Sequence, residues 1–292
     1  MSIPPPTDWS RLHHAYGRAT EVPGQLTALA DPDPAVRHAA VSALTGNVYH
    51  QGTRWPASAH VVAPLVTLLD TPGTPDRATV LHLLHSVAVG DLTDDLLPFD
   101  PARAFAEADR IGPADEQAVI RVLFEEDDPD TESIADVADA VALRWAADAY
   151  HAVERHTASV LRRLHDPDPA VAARAAALAV WYPHLAGLPE ALTTVPHDLR
   201  AARASANLAL AHLPGPLTPG ELAALTACLE SPDPTVRLTA AVAMARRPPT
   251  ALPDEALTIL VHADATEVPG SVPGWSRSLR GHTARTLQHL GL

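Results

Sequence analysis

Apolar residues recur along this chain with the period of a helix rather than a strand. Val36, Ala39, Ala40, Ala43 and Leu44 fall at i, i+3, i+4, i+7 and i+8, and Val236, Thr239, Ala240, Ala243 and Met244 repeat the spacing two hundred residues later. Such a stripe covers one face of an α-helix and calls for burial. It predicts that Val36, Ala40, Val171, Ala175, Val236 and Ala240 are all in the core. Most positions in the stripe are small, so neighbouring helices can approach closely. A second apolar segment precedes each stripe: Leu26 to Ala30, Val61 to Leu69, Val160 to Leu164 and Leu222 to Leu229. The predicted unit is therefore helix, turn, helix.

The turn has its own signature. Asp31-Pro-Asp-Pro-Ala-Val-Arg, Asp166-Pro-Asp-Pro-Ala-Val-Ala and Ser231-Pro-Asp-Pro-Thr-Val-Arg are near copies. Asp33, Asp168 and Asp233 can cap the free N–H groups of the helix that follows. Pro34, Pro169 and Pro234 then stand at its first position, where a missing N–H costs nothing. Weaker copies begin near Asp76-Arg77, at His197 to Arg200 and at Ser278 to Arg280. A unit repeating every few tens of residues predicts a stack of helix pairs, because one pair cannot bury its apolar face alone.

On these residues the chain resembles the HEAT-repeat family, over roughly 24–90 and 140–292. Members of that family commonly open their second helices with Asp, then Val-Arg, then an Ala-rich stripe. The segment Gly46 to Pro56, together with Asp148 to Val153, looks like bacterial HEAT-repeat proteins. The resemblance implies an all-α, right-handed α-solenoid of about six or seven helix pairs. It also implies that Arg37 and Arg237 pair with Asp along the stack, a ladder that Ala172 interrupts in the central copy. HEAT arrays usually grip another macromolecule, although fold alone does not fix function.

The expected organisation has four parts. Residues 1–23, with Pro4-Pro5-Pro6 and then Trp9 to Tyr16, form an arm or capping helix. Residues 24–90 carry HEAT-like repeats, 91–139 form an acidic irregular insertion, and 140–292 carry further repeats. Within the insertion, Ala114 to Phe124 reads as a short amphipathic helix.

Composition agrees with helices. Alanine fills 55 positions and leucine 37, against five Ile and three Phe, which disfavours sheet. A single cysteine, Cys228, excludes a disulfide framework, and its place beside Leu225 and Leu229 marks it as a core residue. No apolar run is long enough for a membrane span, and the N-terminus lacks the basic start and apolar core of a signal peptide, so a cytoplasmic protein is expected.

Charge is unevenly placed. The formal net charge is −14, and residues 91–139 hold 16 carboxylates against Arg103, Arg110 and Arg121. No basic footprint for nucleic acid is visible. The run Glu125, Glu126, Asp127, Asp128 either steers a basic partner or is simply a solvated loop. It lacks the turn glycine of a calcium loop.

Tyr49, His50, Arg54 and Trp55 are the other candidates for partner contact. Arg can clamp an anion and aromatics can stack, yet a tight interhelical loop also favours Gly52 and an anchoring aromatic. His82 and His85 share a helix face but lack a nearby third ligand, so no metal site and no cofactor are expected. Phosphate-binding, dinucleotide, nucleophile-elbow and zincin motifs are absent from the sequence.

The expected function is non-enzymatic binding of a protein or peptide, in one version neutralising a toxin or enzyme. The alternative, implied by the same resemblance, is a HEAT-like alkylpurine DNA glycosylase or another HEAT-like enzyme, such as a phycobilin lyase, acting on the concave face. The resemblance would cast Trp145 with Asp148, or Trp181-Tyr182, in the roles of the glycosylases' pocket residues.

Overall fold

The computed structural model describes residues 7–128, 130–247, 252–266 and 270–292. Within them the chain is about 65% helical, with only two-residue strands, so the fold is all-α. It divides into two compact units: residues up to Asp91 together with 100–156, and residues 92–99 together with 157–292.

The first unit holds α1 (Val22–Ala28), α2 (Pro34–Val48), α3 (Val62–Asp70), α4 (Arg77–Val89), α5 (Pro101–Ala104), α6 (Pro113–Phe124) and α7 (Ala135–Glu154). Helix α1 packs on α2, α3 on α4, and the 20-residue α7 on α4 and α6. Two small antiparallel hairpins accompany them. In the first, β1 (His13–His14) pairs with β2 (Gly17–Arg18); in the second, β3 (Tyr49–His50) pairs with β4 (Thr53–Arg54).

The second unit holds α8 (Thr157–Arg163), α9 (Pro169–Ala179), α10 (Leu188–Thr193), α11 (Arg200–Ala211), α12 (Pro219–Leu229), α13 (Pro234–Arg246), α14 (Asp254–Thr266) and α15 (Leu279–Leu290). Its helices pair in chain order, α8 with α9, α10 with α11, α12 with α13 and α14 with α15. Helix α11 is flanked by α9 and α13, and α13 also packs on α15. Flanked on both sides, α11 buries every residue from Ala202 to Ala211. Five of those ten are alanine, which permits the close approach. Polar groups cross the seam in bonded pairs: Ser205 Oγ donates to the Ala173 carbonyl at 2.6 Å, and Asn207 Nδ2 donates to the Val236 carbonyl at 3.2 Å.

The caps form as their local chemistry requires. Asp33 accepts from Ala35 N–H, Asp168 from Ala170 N–H, and Asp233 from both Thr235 and Val236 N–H. Proline follows each of them at the first helical position. The weaker copies also start helices, at Arg77, Arg200 and Leu279. Arg37 Nε donates to Asp76 Oδ2 at 2.6 Å, joining the motif of α2 to that of α4. Arg237 instead donates to the Ser231 carbonyl at its own turn.

Three expectations are corrected. Val36 is 39% exposed, while Ala40, Val171, Ala175, Val236 and Ala240 are buried. It lies in the first turn of α2, whereas Val171 and Val236, at the same position of α9 and α13, are buried. Residues Trp9 to Tyr16 do not form a capping helix. They make a 3-10 turn (Trp9–Arg11) and then enter the β1–β2 hairpin, and Pro4-Pro5-Pro6 lie outside the described residues. The segment 91–139 is not one irregular insertion. It contains α5, α6 and the start of α7, and its residues 92–99 belong to the second unit. The short helix expected at Ala114 to Phe124 is present as α6.

Candidate functional site

In the first unit, α6 and α7 pack through Val119, Ile120, Val122, Ile134, Val141 and Trp145, and Trp55 and Phe124 close over this core. Trp55 follows β4 directly. The tight Gln51-Gly52 turn, with both residues at positive φ, reverses the chain and delivers Trp55 to the helices. Its N–H donates to Ser58 Oγ at 2.7 Å, and that buried hydroxyl donates to the Val48 carbonyl at 2.6 Å. The Trp55 ring lies 5.8 Å from Trp145 at 33°, and 5.8 Å from Phe124 at 72°. Trp145 Nε1 donates to Glu116 Oε1 at 2.7 Å, whereas the buried Trp55 Nε1 has no hydrogen-bond partner.

These two indoles line a cavity of about 330 Å³ together with Glu116, Asp148, His60, His151 and Arg155. The α7 residues Trp145, Asp148 and His151 are spaced three apart, so one helix face presents them all. Glu116 reaches the cavity from α6, and His60 from the turn before α3. Partial desolvation lowers the His60 imidazole, and the Asp148 carboxylate acts against that shift. Arg144 pairs with Asp148 at 3.3 Å across one helical turn. The lining carries two carboxylates, one guanidinium and two imidazoles beside the paired indoles. It suits a flat or alkyl-stemmed cation, held by ring faces and carboxylate oxygens.

The sequence candidates do not gather at one point. The Tyr49 hydroxyl donates to Asp91; burial, and then that carboxylate, push the phenol up to about 12. Arg54 is 7% exposed and donates to the Gly52 carbonyl at 2.8 Å, and burial lowers its pKa. His50 meets the Tyr16 hydroxyl at 3.1 Å. Only Trp55 of the four lines the cavity. In the acidic run, Glu125 pairs with Arg18 at 2.7 Å and Glu126 with Arg121 at 3.1 Å, while Asp127 and Asp128 are exposed. The run leaves α6 immediately after Phe124, the ring that packs on Trp55.

Of the pair-wise alternatives, Trp145 and Asp148 share the cavity, whereas Trp181 and Tyr182 are buried in the second unit. Cys228 is buried, and burial raises its thiol pKa, as expected of a core residue. Glu116, His60 and Arg155 were missed by sequence reasoning. They lie on three separate elements, and no local pattern in the sequence ties them to Trp145.

No family model matches the chain, and no curated protein matches it. Among the described residues no helix is long and apolar enough to cross a membrane.

Proposed function

We propose that the chain is a HEAT-type binding protein, a right-handed α-solenoid of about six or seven helix pairs. In this reading it captures a protein or peptide in the cytoplasm by seating a basic side chain in the cavity that Trp55 and Trp145 line beside Glu116 and Asp148. The observation that carries it is the cavity itself, which sets two indole faces beside the Glu116 and Asp148 carboxylates. The paired helices, the Asp-Pro caps and the Arg37–Asp76 bridge support the repeat architecture. A cation over a tryptophan face contributes about 0.5–2 kcal/mol, more as water is excluded. The acidic run beside Phe124 adds long-range attraction for the same partner. Neutralisation of a basic toxin or enzyme is one form this activity takes.

The test is titration of the chain with arginine- and lysine-bearing peptides, followed by tryptophan fluorescence. Saturable quenching is expected, weakened at least tenfold in Asp148→Asn and in Trp55→Leu. Binding of equal strength in both variants would exclude the cavity as the site.

A second reading rests on the same cavity, because Trp145, Asp148 and Arg155 line it together. These are residue types used by the HEAT-like alkylpurine DNA glycosylases, and a cationic alkylated base has the chemistry of the proposed ligand. Release of an alkylated purine from duplex DNA, lost in Asp148→Asn, would favour it. The net charge of −14 and the absence of lysine weigh against duplex binding.

A further inference from the structure

In the second unit three side chains from distant stretches converge. Asp94 lies in the short 92–99 segment, His212 caps the C-terminus of α11, and His282 stands in the first turn of α15. One donor atom from each lies within 4.8 Å of the other two, and all three residues are at most 6% exposed. Neither ring nitrogen of His212 has a hydrogen-bond partner, and neither does His282 Nε2. The contact between His282 Nε2 and Asp94 Oδ2, at 3.6 Å, is too long for a hydrogen bond. Native interiors satisfy nearly all such groups, so orphaned nitrogens meeting at one point indicate a missing partner.

Packing fixes the rings where hydrogen bonds do not. His212 stacks on Trp275 at 5.5 Å and 24°, and the same indole meets His282 edge-on at 5.8 Å. Trp275 is itself anchored by donating Nε1–H to Ser205 Oγ at 2.8 Å. Arg277 orients the carboxylate, donating to both oxygens of Asp94 at 3.2 Å, which leaves each oxygen a further lone pair. An imidazole in its neutral form offers one unshared ring-nitrogen lone pair, and packing holds both rings with such nitrogens turned towards Asp94. Two neutral imidazoles and one braced carboxylate make a ligand set for a transition metal.

We propose that Asp94, His212 and His282 form a binding site for a divalent transition metal of the Zn²⁺ type, with water or an anion from the adjoining cavity as a further ligand. That cavity, about 420 Å³, is lined by His212, Arg246 and Arg247. The charges nearby decide the metal class. Arg246, Arg277 and Arg285 outnumber Asp94 and Asp95, so a cation held only by electrostatic attraction is disfavoured. Mg²⁺ and Ca²⁺ depend on several oxygen ligands, while Zn²⁺ and Co²⁺ bond strongly to imidazole nitrogen. An anion in the cavity beside Arg246 offsets the added charge.

The experiment uses the full chain, stripped with chelator and titrated with Zn²⁺, Mg²⁺ and, as a spectroscopic probe, Co²⁺. One equivalent of Zn²⁺ is expected to bind saturably, Co²⁺ to develop visible ligand-field absorption, and Mg²⁺ not to compete at a hundredfold excess. His212→Gln and His282→Gln should each weaken Zn²⁺ binding at least tenfold, whereas the exposed His184→Gln should leave it unchanged. If either site variant loses its helical circular dichroism, protection of Leu279–Leu290 amides on adding Zn²⁺ to the unmutated chain becomes the deciding measurement. Absence of a saturable equivalent, binding equal in folded His282→Gln, Mg²⁺ competing with Zn²⁺, or no Zn²⁺-dependent protection would each overturn the proposal.

Discussion

Removing the charge of Glu221 should destabilise the second unit by several kcal/mol. Glu221 is 2% and Arg247 7% exposed, and their contact is bidentate, with Nη1–Oε1 at 2.9 Å and Nη2–Oε2 at 3.2 Å. Arg247 also donates to the carbonyls of Leu210, Gly215 and Pro216. In Glu221→Gln those carbonyls stay in place, as does the cap in which Glu221 accepts from Thr218 N–H at 2.7 Å. What is lost is two charge-assisted bonds, each worth about 1.5–3 kcal/mol, and the guanidinium stays buried without a counter-charge. One neutral hydrogen bond is regained, so the net loss should be about 3 kcal/mol, equivalent to about 6–12 °C in Tm for a unit of this size. Calorimetry measures this, with hydrogen exchange over Pro219–Leu229 and Pro234–Arg246 locating it.

Acid supplies a second arm of the same test. Burial alone would raise the Glu221 carboxyl, but the Arg247 hydrogen bonds and the Thr218 N–H outweigh it and leave the pKa lowered. The contribution is therefore complete above the unfolded carboxyl value of about 4.3 and is lost as pH falls through the lower folded value. Glu221→Gln should flatten that part of the pH profile. Pairing Glu221→Gln with Arg247→Met should cost much less than the two single changes combined. A loss under about 1 kcal/mol for Glu221→Gln, or additive losses in the double variant, would refute the account.

Further outcomes follow from other contacts. Asp233→Ala should cost about 1–2 kcal/mol in urea unfolding, and more than Asp33→Ala, because Asp233 caps two N–H groups and Asp33 one. Gly90→Ala should destabilise the first unit by more than about 1 kcal/mol in thermal unfolding, since its φ is +67° and a Cβ would strike the Arg54 guanidinium. Changing Glu125, Glu126, Asp127 and Asp128 together to their amides should slow partner association at low salt and leave dissociation nearly unchanged, as stopped-flow fluorescence would show. Because Glu125 and Glu126 hold Arg18 and Arg121 in exposed pairs, the accompanying loss of stability should stay below about 1 kcal/mol.

What was legible in the sequence was local. Asp33, Asp168 and Asp233 announce their helices because cap and helix start lie within three residues of each other. Val36 misled because burial depends on whether another helix lies over that turn, and the same stripe is covered in α13 but open at the start of α2. The cluster at Tyr49 to Trp55 was visible as unusual residues, yet its hairpin turns Tyr49 and Arg54 towards the Gly90–Asp91 corner and Trp55 towards α6 and α7. His82 and His85 drew attention by spacing, while Asp94, His212 and His282 share no spacing and meet only through tertiary packing.

The detour at 92–99 has a consequence for how the polypeptide is made and inherited. The chain leaves the first unit at Leu92, places Leu97 and Phe99 in the second, with Phe99 against Trp181 at 5.4 Å, and returns at Asp100. On the ribosome those eight residues emerge before α7, the last helix of the unit they interrupt, and well before the helices that will enclose them. Neither unit is thus a continuous stretch of coding sequence. A cut after His156 strands two apolar side chains on one product and removes Asp94 from the other, so recombination can exchange the two units only together.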